Sequence, residues 1–486
     1  MSNKKSNIFL FLILLAGLIV RLLSLNSSGM AFTYDQGRDL LDLRNMVLNH
    51  KLSLIGPETS LRGVYYGPLW YWLSAPTLII SNFSPYSTEI LLFFIVAISA
   101  ILLYRLSKNK TQGLILSTTI LFLPVFFDNS LIPLNTNPAL FILPVIFLLL
   151  TSKITNTSWI ITSLLSASLF HFDTFAALAL VPIMIYTILR SPLRRMYLTI
   201  LWITSTSLLY VPQLIFNLKH QYPEWTTIIN LLHGQSSLRP GTTYIVTFIT
   251  DIGKGFGLNH WLPVVIISTF ITIIIIKYHF PLTPFVKLNF IYSLLLSSIL
   301  IFSPFRLGPW HLGAIIGSLS LGFVILLYSL KSLIAWVLLI VIFTTSFIYD
   351  IRPLLHNVPQ TDTANIKTRL TIIDTIYQNA EGKGINIYTF APNVYDFPNQ
   401  YLIWWRAKTR YKYLPKEYVY LSQQPLYVAD KNMADSLIEI RPAQCSYLII
   451  EPYESQKKWY DQWRGNFPIF SKQWQFGETR IEKLCP

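Results

Sequence analysis

Charge is what this chain has least of. Asp, Glu, Lys and Arg make up 13% of its 486 residues, about half of the roughly 25% carried by a soluble domain. That shortage excludes an ordinary water-soluble enzyme. Cysteine is nearly absent too: only Cys445 and Cys485 occur, both near the C-terminus. No CxxC, HExxH or other metal-ligand spacing appears, and there is no tandem repeat or low-complexity tract. A C-terminal region outside the cytoplasm would let the two cysteines pair, but spacing alone leaves that open.

Apolar mass takes the place of charge. Hydrophobic residues reach 52% and aromatics 15%, and mean hydropathy is +0.47. Several apolar runs approach the roughly 20 residues that cross a hydrocarbon core. The expected fold class is therefore a polytopic α-helical membrane protein. A formal net charge of +15 raises nucleic acid as a partner, but the basic residues neither cluster in one patch nor interleave with stacking aromatics. They recur in short loops between apolar runs, as topology determinants do. The start, "MSNKKSNIFLFLILLAGLIVRLLSL", has a basic end and a long apolar run without an A-x-A-like site, which reads as a retained first helix rather than a signal peptide.

Candidate spans are 8–25, 86–105, 112–127, 138–151, 158–171, 174–189, 196–216, 260–277, 287–302, 310–330 and 332–349, about eleven in all. The run 68–82 is short and broken by Pro76, and is expected to lie in or dip into the interface. This assignment gathers Lys4, Lys5, Arg105, Lys108, Lys110, Lys153, Arg190, Arg194, Arg195, Lys277, Lys287 and Lys331 on one side. The positive-inside rule makes that side cytoplasmic, with the N-terminus inside and the C-terminus outside. From about residue 350 charge returns, and short β-like runs ("INIYTF", 385–390; "CSYLIIE", 445–451) alternate with helix-like stretches such as 361–380. The expected division is 1–349, a transmembrane domain including the outer loop 26–85, and 350–486, a small extracytoplasmic α/β domain.

Charged groups at membrane depth are costly and so informative. Arg21, near the outer end of the first helix, either snorkels to the headgroups or supports charges just downstream. Those are in "FTYDQGRDL" (32–40), where Asp35, Arg38 and Asp39 fall at i, i+3 and i+4 on one face of an amphipathic helix. The plainer reading is a cap, from Thr33 or Asp35, plus a local ion pair. Close behind follows "GPETSLRGVYYGPLWYW" (56–72), with Glu58, Arg62, Tyr65, Tyr66 and several tryptophans. "FHFDTF" (170–175) adds His171 and Asp173, and "SPFRLGPWHLG" (303–313) adds Arg306 and His311, each at an outer helix end. Each is weak alone; together they point to acids and bases converging on one outer-face cavity.

At these residues the chain resembles the GT-C superfamily of membrane glycosyltransferases, in particular the protein O-mannosyltransferase and lipid A aminoarabinose transferase type (glycosyltransferase family 39-like). The resemblance rests on "LIVRLLSLNSS" (18–28), "GVYYGPLWYWLSAP" (63–76), "NTNPALFILPV" (135–145), "SLFHFDTFAALALVP" (168–182), "YVPQLIFNLKHQYPEW" (210–225) and "RLGPWHLGAI" (306–315). A C-terminal pattern running from "YLIIEPY" to "FGETRIEKL" (447–484) completes it. It covers essentially the whole chain, and its specificity lies in order and spacing.

The resemblance implies transfer of a sugar from a polyprenyl-phosphate donor to a lipid, protein or glycan acceptor on the outer face, by a multi-pass plasma-membrane protein surrounded by membrane lipids, with no nucleic acid involved. Asp35 matches the family's catalytic Asp and is the expected general base, with Asp39 as a second catalytic candidate one turn along. Arg306, His311, Arg38 and Arg62 are candidates for the donor phosphate; Gln36, Tyr65, Tyr66, His171 and Asp173 for substrate. Many relatives carry Asp-Glu where this chain has Asp35-Gln36, which places any second carboxylate in doubt. Some relatives share a divalent metal between outer-loop carboxylates; no ligand set here demands one, and no cofactor is assigned. A transporter or flippase would also have many spans, but the chain shows no inverted repeat. A non-catalytic scaffold on the same fold would function without Asp35.

Overall fold

The computed structural model describes residues 3–27, 30–59, 61, 63–191, 193–233, 282–303, 309–355, 364–392, 395–422, 428 and 431–485. The chain divides into two compact units. The first comprises Met1–Leu22, Ser53–Trp72 and Glu89–Arg352; the second comprises Leu23–Leu52, Leu73–Thr88 and Pro353–Pro486.

The helices begin with α1 (Asn3–Ser27), α2 (Tyr34–Leu48), α3 (Leu69–Ile80), α4 (Ser87–Leu106), α5 (Lys110–Phe122), α6 (Pro124–Ser130) and α7 (Asn137–Thr151). α8 (Asn156–Phe172), α9 (Thr174–Arg190), α10 (Arg195–Lys219) and α11 (Pro223–His233) follow, then helices Pro284–Phe302, Leu312–Leu330 and Leu333–Leu355. Among the described residues, six stretches, Lys4–Asn26, Ser87–Leu106, Arg195–Lys219, Pro284–Phe302, Leu312–Leu330 and Leu333–Ile351, are long and apolar enough to cross a membrane. The protein is thus a helical polytopic membrane protein. Of the other expected spans, 112–127 falls on α5 and α6, two helices bent by 54° that make a seventh crossing if counted as one. The bend has a local cause. Leu123 is extended (φ −71°, ψ 135°) before Pro124, because a proline ring disfavours helical backbone in the residue before it. Expected spans 138–151 and 174–189 fall on the shorter apolar helices α7 and α9, 158–171 falls on the 17-residue α8, and 260–277 lies outside the described residues. The interrupted run 68–82 forms α3, with Pro76 inside it.

The six long helices differ in how they are enclosed. Leu312–Leu330 is buried over 72% of its most apolar window and α10 over only 11%. Apolar surface that the protein leaves uncovered suits hydrocarbon rather than water.

In the second unit, strands rich in β-branched and aromatic residues build a five-stranded mixed sheet in the order β3-β1-β5-β7-β6. Its strands are β1 (Gly384–Phe390), β3 (Glu417–Val419), β5 (Ala443–Ile450), β6 (Lys472–Phe476) and β7 (Thr479–Leu484). A second, two-stranded sheet joins β2 (Tyr413–Leu414) to β4 (Glu439–Ile440). β1 runs parallel to β3 and β5; β7 runs antiparallel to β5 and β6. Helices Ile366–Ala380 and Phe397–Arg406 flank β1 in sequence. Cys445 and Cys485 form a disulfide across a sequence separation of 40, resolving what spacing left open.

Candidate active site

α2 carries four of the candidate residues, all within the second unit. Its N-cap is Thr33, whose backbone N–H and hydroxyl both donate to Gln36 Oε1, at 2.5 and 2.6 Å. Gln36 is thus the third helical residue of a capping box, a position that accepts Gln as readily as Glu. Gln36 therefore has a structural role at the start of α2. Asp35, in the first turn, pairs with Arg38 Nη1 at 3.2 Å and keeps its side chain 51% exposed. Arg38 also grips Asp39, with Nε at 3.1 Å and Nη2 at 2.8 Å from Oδ1. Asp39 is buried, and burial pushes its carboxyl up to about 7; Arg38 opposes the rise, while Asp35 and Asp42 add to it. The three charges form one continuous chain, Asp35–Arg38–Asp39, wet at one end and dry at the other.

The dry end exists because α2 is packed on more than its apolar stripe. Gln36, Gly37, Asp39, Arg44 and Asn45 are buried along with Leu40, Leu41 and Leu43. A Cβ at Gly37 would overlap the backbone of Phe397 and Pro398 at the start of the Phe397–Arg406 helix. Farther along, the Arg44 guanidinium lies 4.8 Å from the Trp404 ring centroid and donates to Asn45 Oδ1. The chain just before α2 is also anchored within this unit: Phe32 N–H donates to Ala364 C=O, and Ile366 N–H to Met30 C=O.

The first unit holds the others. Asp173 caps α9, its Oδ1 accepting from the N–H groups of Phe175 and Ala176 at 3.1 and 3.2 Å. Both of its oxygens also face His311 Nδ1, at 3.1 and 3.0 Å, and both side chains are 2% exposed. The "cap" and "anion site" readings of these motifs thus meet in one buried Asp–His pair. His171, two residues before Asp173, is buried, and its Nδ1 has no partner among the described residues. Its ring lies flush on Gly67, where any Cβ would overlap it. Tyr66, next to Gly67, is buried in a turn in which its N–H donates to Pro57 C=O at 2.9 Å and its C=O accepts from Gly56 N–H at 2.8 Å. Tyr65 stands edge-on to Phe216 with centroids 5.7 Å apart. Arg62 and Arg306 lie outside the described residues.

Sequence reasoning missed two groups. Glu224 is buried and accepts from Tyr65 N–H, from Gln213 Nε2 (both 2.9 Å) and from Asn217 Nδ2. The signal was present in "QLIFNLKHQYPE" (213–224), where Gln213 and Asn217 are one helical turn apart on α10. The other group surrounds Arg21. Neither a headgroup contact nor snorkelling describes it: Arg21 is 2% exposed, donates to Ser130 Oγ at 2.7 Å and Gly17 C=O at 3.1 Å, and packs over Phe127. Asp350 is fully buried nearby, and Asp128 accepts from Tyr349 at 3.2 Å. Asp350 escaped notice because the last apolar run reads as ending at 349, one residue short of it. Among the described residues, no three His, Cys, Asp or Glu side chains gather as a metal site.

No family model and no curated protein sequence matches this chain. Solved structures do. ArnT from Cupriavidus metallidurans bound to undecaprenyl phosphate matches with a TM-score of 0.59 at 11% identity, over 97% of each chain. ArnT from the same organism in the apo state matches equally, with a TM-score of 0.59, 11% identity and 97% of each chain covered. At that identity the likeness is one of fold, and it extends through the helical region and the mixed-sheet unit alike.

Proposed function

We propose that the protein is an integral-membrane glycosyltransferase that moves a sugar from a polyprenyl-phosphate donor to an acceptor on the outer face of the membrane. The observation that carries this reading is the likeness of fold, end to end, to a protein solved with undecaprenyl phosphate. The motif order found in the sequence, which resembles the lipid A aminoarabinose transferase type, points the same way. The reading includes about eleven spans, a cytoplasmic N-terminus, and residues 350–486 as an extracytoplasmic domain in a plasma-membrane protein.

The chemistry asks little of the protein. An acceptor hydroxyl attacks the anomeric carbon and loses its proton to a base, while the bond from that carbon to the phosphate oxygen breaks. One displacement inverts the anomeric centre. The leaving polyprenyl phosphate is a stable anion, so it needs cationic and hydrogen-bonding partners rather than a proton donor. Asp35 takes the role of base: it is the exposed end of the Asp35–Arg38–Asp39 chain. Asp39 holds Arg38, which in turn orients Asp35. His311, with Arg306 and Arg62, is assigned to the donor phosphate, and Tyr65, Tyr66, His171 and Asp173 to the surroundings of the substrate.

The test is transfer by purified protein in lipid nanodiscs, using polyprenyl-phosphate sugars as donors. Wild type should transfer, and Asp35→Asn should lose at least a hundredfold in rate, in line with removal of a general base. Full activity in Asp35→Asn would remove the base assignment. No turnover with any donor would remove the enzyme reading.

A further inference from the structure

The second unit carries a cleft that the transfer chemistry does not use. One face of its sheet is roofed by the helix Lys457–Arg464, with Tyr460 and Trp463 packed on Tyr388, Phe390, Leu448 and Ile450. That helix is only eight residues long, and the roof stops with it. Two residues back along each strand, on the same face, the side chains change from apolar to Asn386 on β1 and Ser446 on β5, which are register partners. There a cleft of about 640 Å³ opens, within the ~300–1,000 Å³ usual for small-ligand sites. The loop Asn466–Ile469 forms one wall and the Cys445–Cys485 disulfide another.

Its lining is chemically selective. Among the described residues, no Asp, Glu, Lys, Arg or His lines it, in a chain whose formal charge is +15. It is lined by amide and hydroxyl groups (Asn386, Gln444, Ser422, Ser446) interspersed with apolar Leu421, Pro468, Ile469 and Leu484, and by the ring of Phe467, which packs 5.2 Å (centroid to centroid) from the largely buried Tyr388. The polar groups are held in place: Asn386 Oδ1 accepts from Glu417 N–H at 3.2 Å, and its amide donates to Ser446 Oγ at 3.4 Å. Ions find no counter-charge here, and a lipid chain would make no use of the amide and hydroxyl groups set among the apolar lining. A peptide adding as a strand needs an open sheet edge, whereas this cleft lies on a face. Amide and hydroxyl groups beside aromatic surface suit a neutral ligand with many hydroxyls and apolar C–H faces.

We propose that this cleft binds a neutral oligosaccharide, the glycan portion of the acceptor; the word acceptor rests on the glycosyltransferase reading above, while the binding does not. The full-length protein in phosphatidylcholine nanodiscs is titrated with mannohexaose, cellohexaose and chitohexaose, and with hexagalacturonate as an anionic control, by calorimetry and saturation-transfer NMR. At least one neutral hexamer should bind, and hexagalacturonate should bind at least tenfold more weakly. Gln444→Trp, at an exposed position on the cleft wall, should weaken binding at least tenfold. Ile469→Trp, in the Asn466–Ile469 loop and 90% exposed, should do the same, so the test stands if one variant misfolds. Asp35→Asn should bind as wild type does. Binding without sugar transfer upholds the cleft and counts against the enzyme reading alone. Failure of all three neutral hexamers to bind, equal binding of the anionic one, or unchanged affinity in both folded Trp variants overturns the proposal, whether or not the protein transfers sugar.

Discussion

Asp39 is a carboxyl whose environment works against its charge. Burial outweighs the ion pair with Arg38, and the net result is a rise from 3.8 to about 7. An acid that binds its proton more tightly when folded stabilises the fold at low pH, and that contribution fades as pH rises through the folded value. Unfolding of the wild type should therefore become easier between about pH 4 and about pH 7 from this residue, and Asp39→Asn should flatten that part of the profile. Tryptophan fluorescence during urea unfolding, at several pH values, reads this directly. The Asp173–His311 pair makes a different demand. Both side chains are buried against each other, so removing one partner strands the other. Asp173→Ala also deletes the α9 cap, and should cost roughly 3–5 kcal/mol, seen as a lowered melting temperature in detergent. A surface substitution such as Lys457→Ala should leave it within about 0.5 kcal/mol.

Elements show how α2 is positioned. Its sequence is that of an ordinary amphipathic helix, yet its polar residues Gln36, Asp39 and Arg44 are buried with its leucines. Gly37 permits this, since only a residue without Cβ lets α2 approach Pro398 so closely. Gly37→Ala should force the two helices apart, cost roughly 1–3 kcal/mol of packing, and lower transfer at least tenfold without touching Asp35. Transfer at the wild-type rate in Gly37→Ala would show that α2 docking does not set the proposed base, Asp35. The disulfide acts on a neighbouring scale: it closes a separation of 40 residues between β5 and the end of β7. Reduction, or Cys445→Ser, should destabilise the second unit by roughly 2–4 kcal/mol, measurable by limited proteolysis with and without reductant.

Taken whole, the molecule was legible in its sequence to different depths. Apolar runs of sufficient length announced the long helices, because burial in hydrocarbon admits few other solutions. The runs "INIYTF" and "CSYLIIE" announced β1 and β5, because both are short, β-branched or aromatic, and bounded by polar chain. Motifs at helix ends announced Asp35, Asp173 and His311 as polar residues needing partners. The partners themselves were not legible: Asp173 finds His311 across 138 residues, Glu224 finds Tyr65 across 159, and Arg21 finds Ser130 across 109. Composition and periodicity act through local solvation, so the sequence by itself determined the membrane class, most helix positions and the candidate charges. Which charge is dry, which meets its opposite and which glycine another element rests on depend on contacts between distant segments. Those belong to the tertiary structure, because burial and pairing energies arise only where packing brings such segments together.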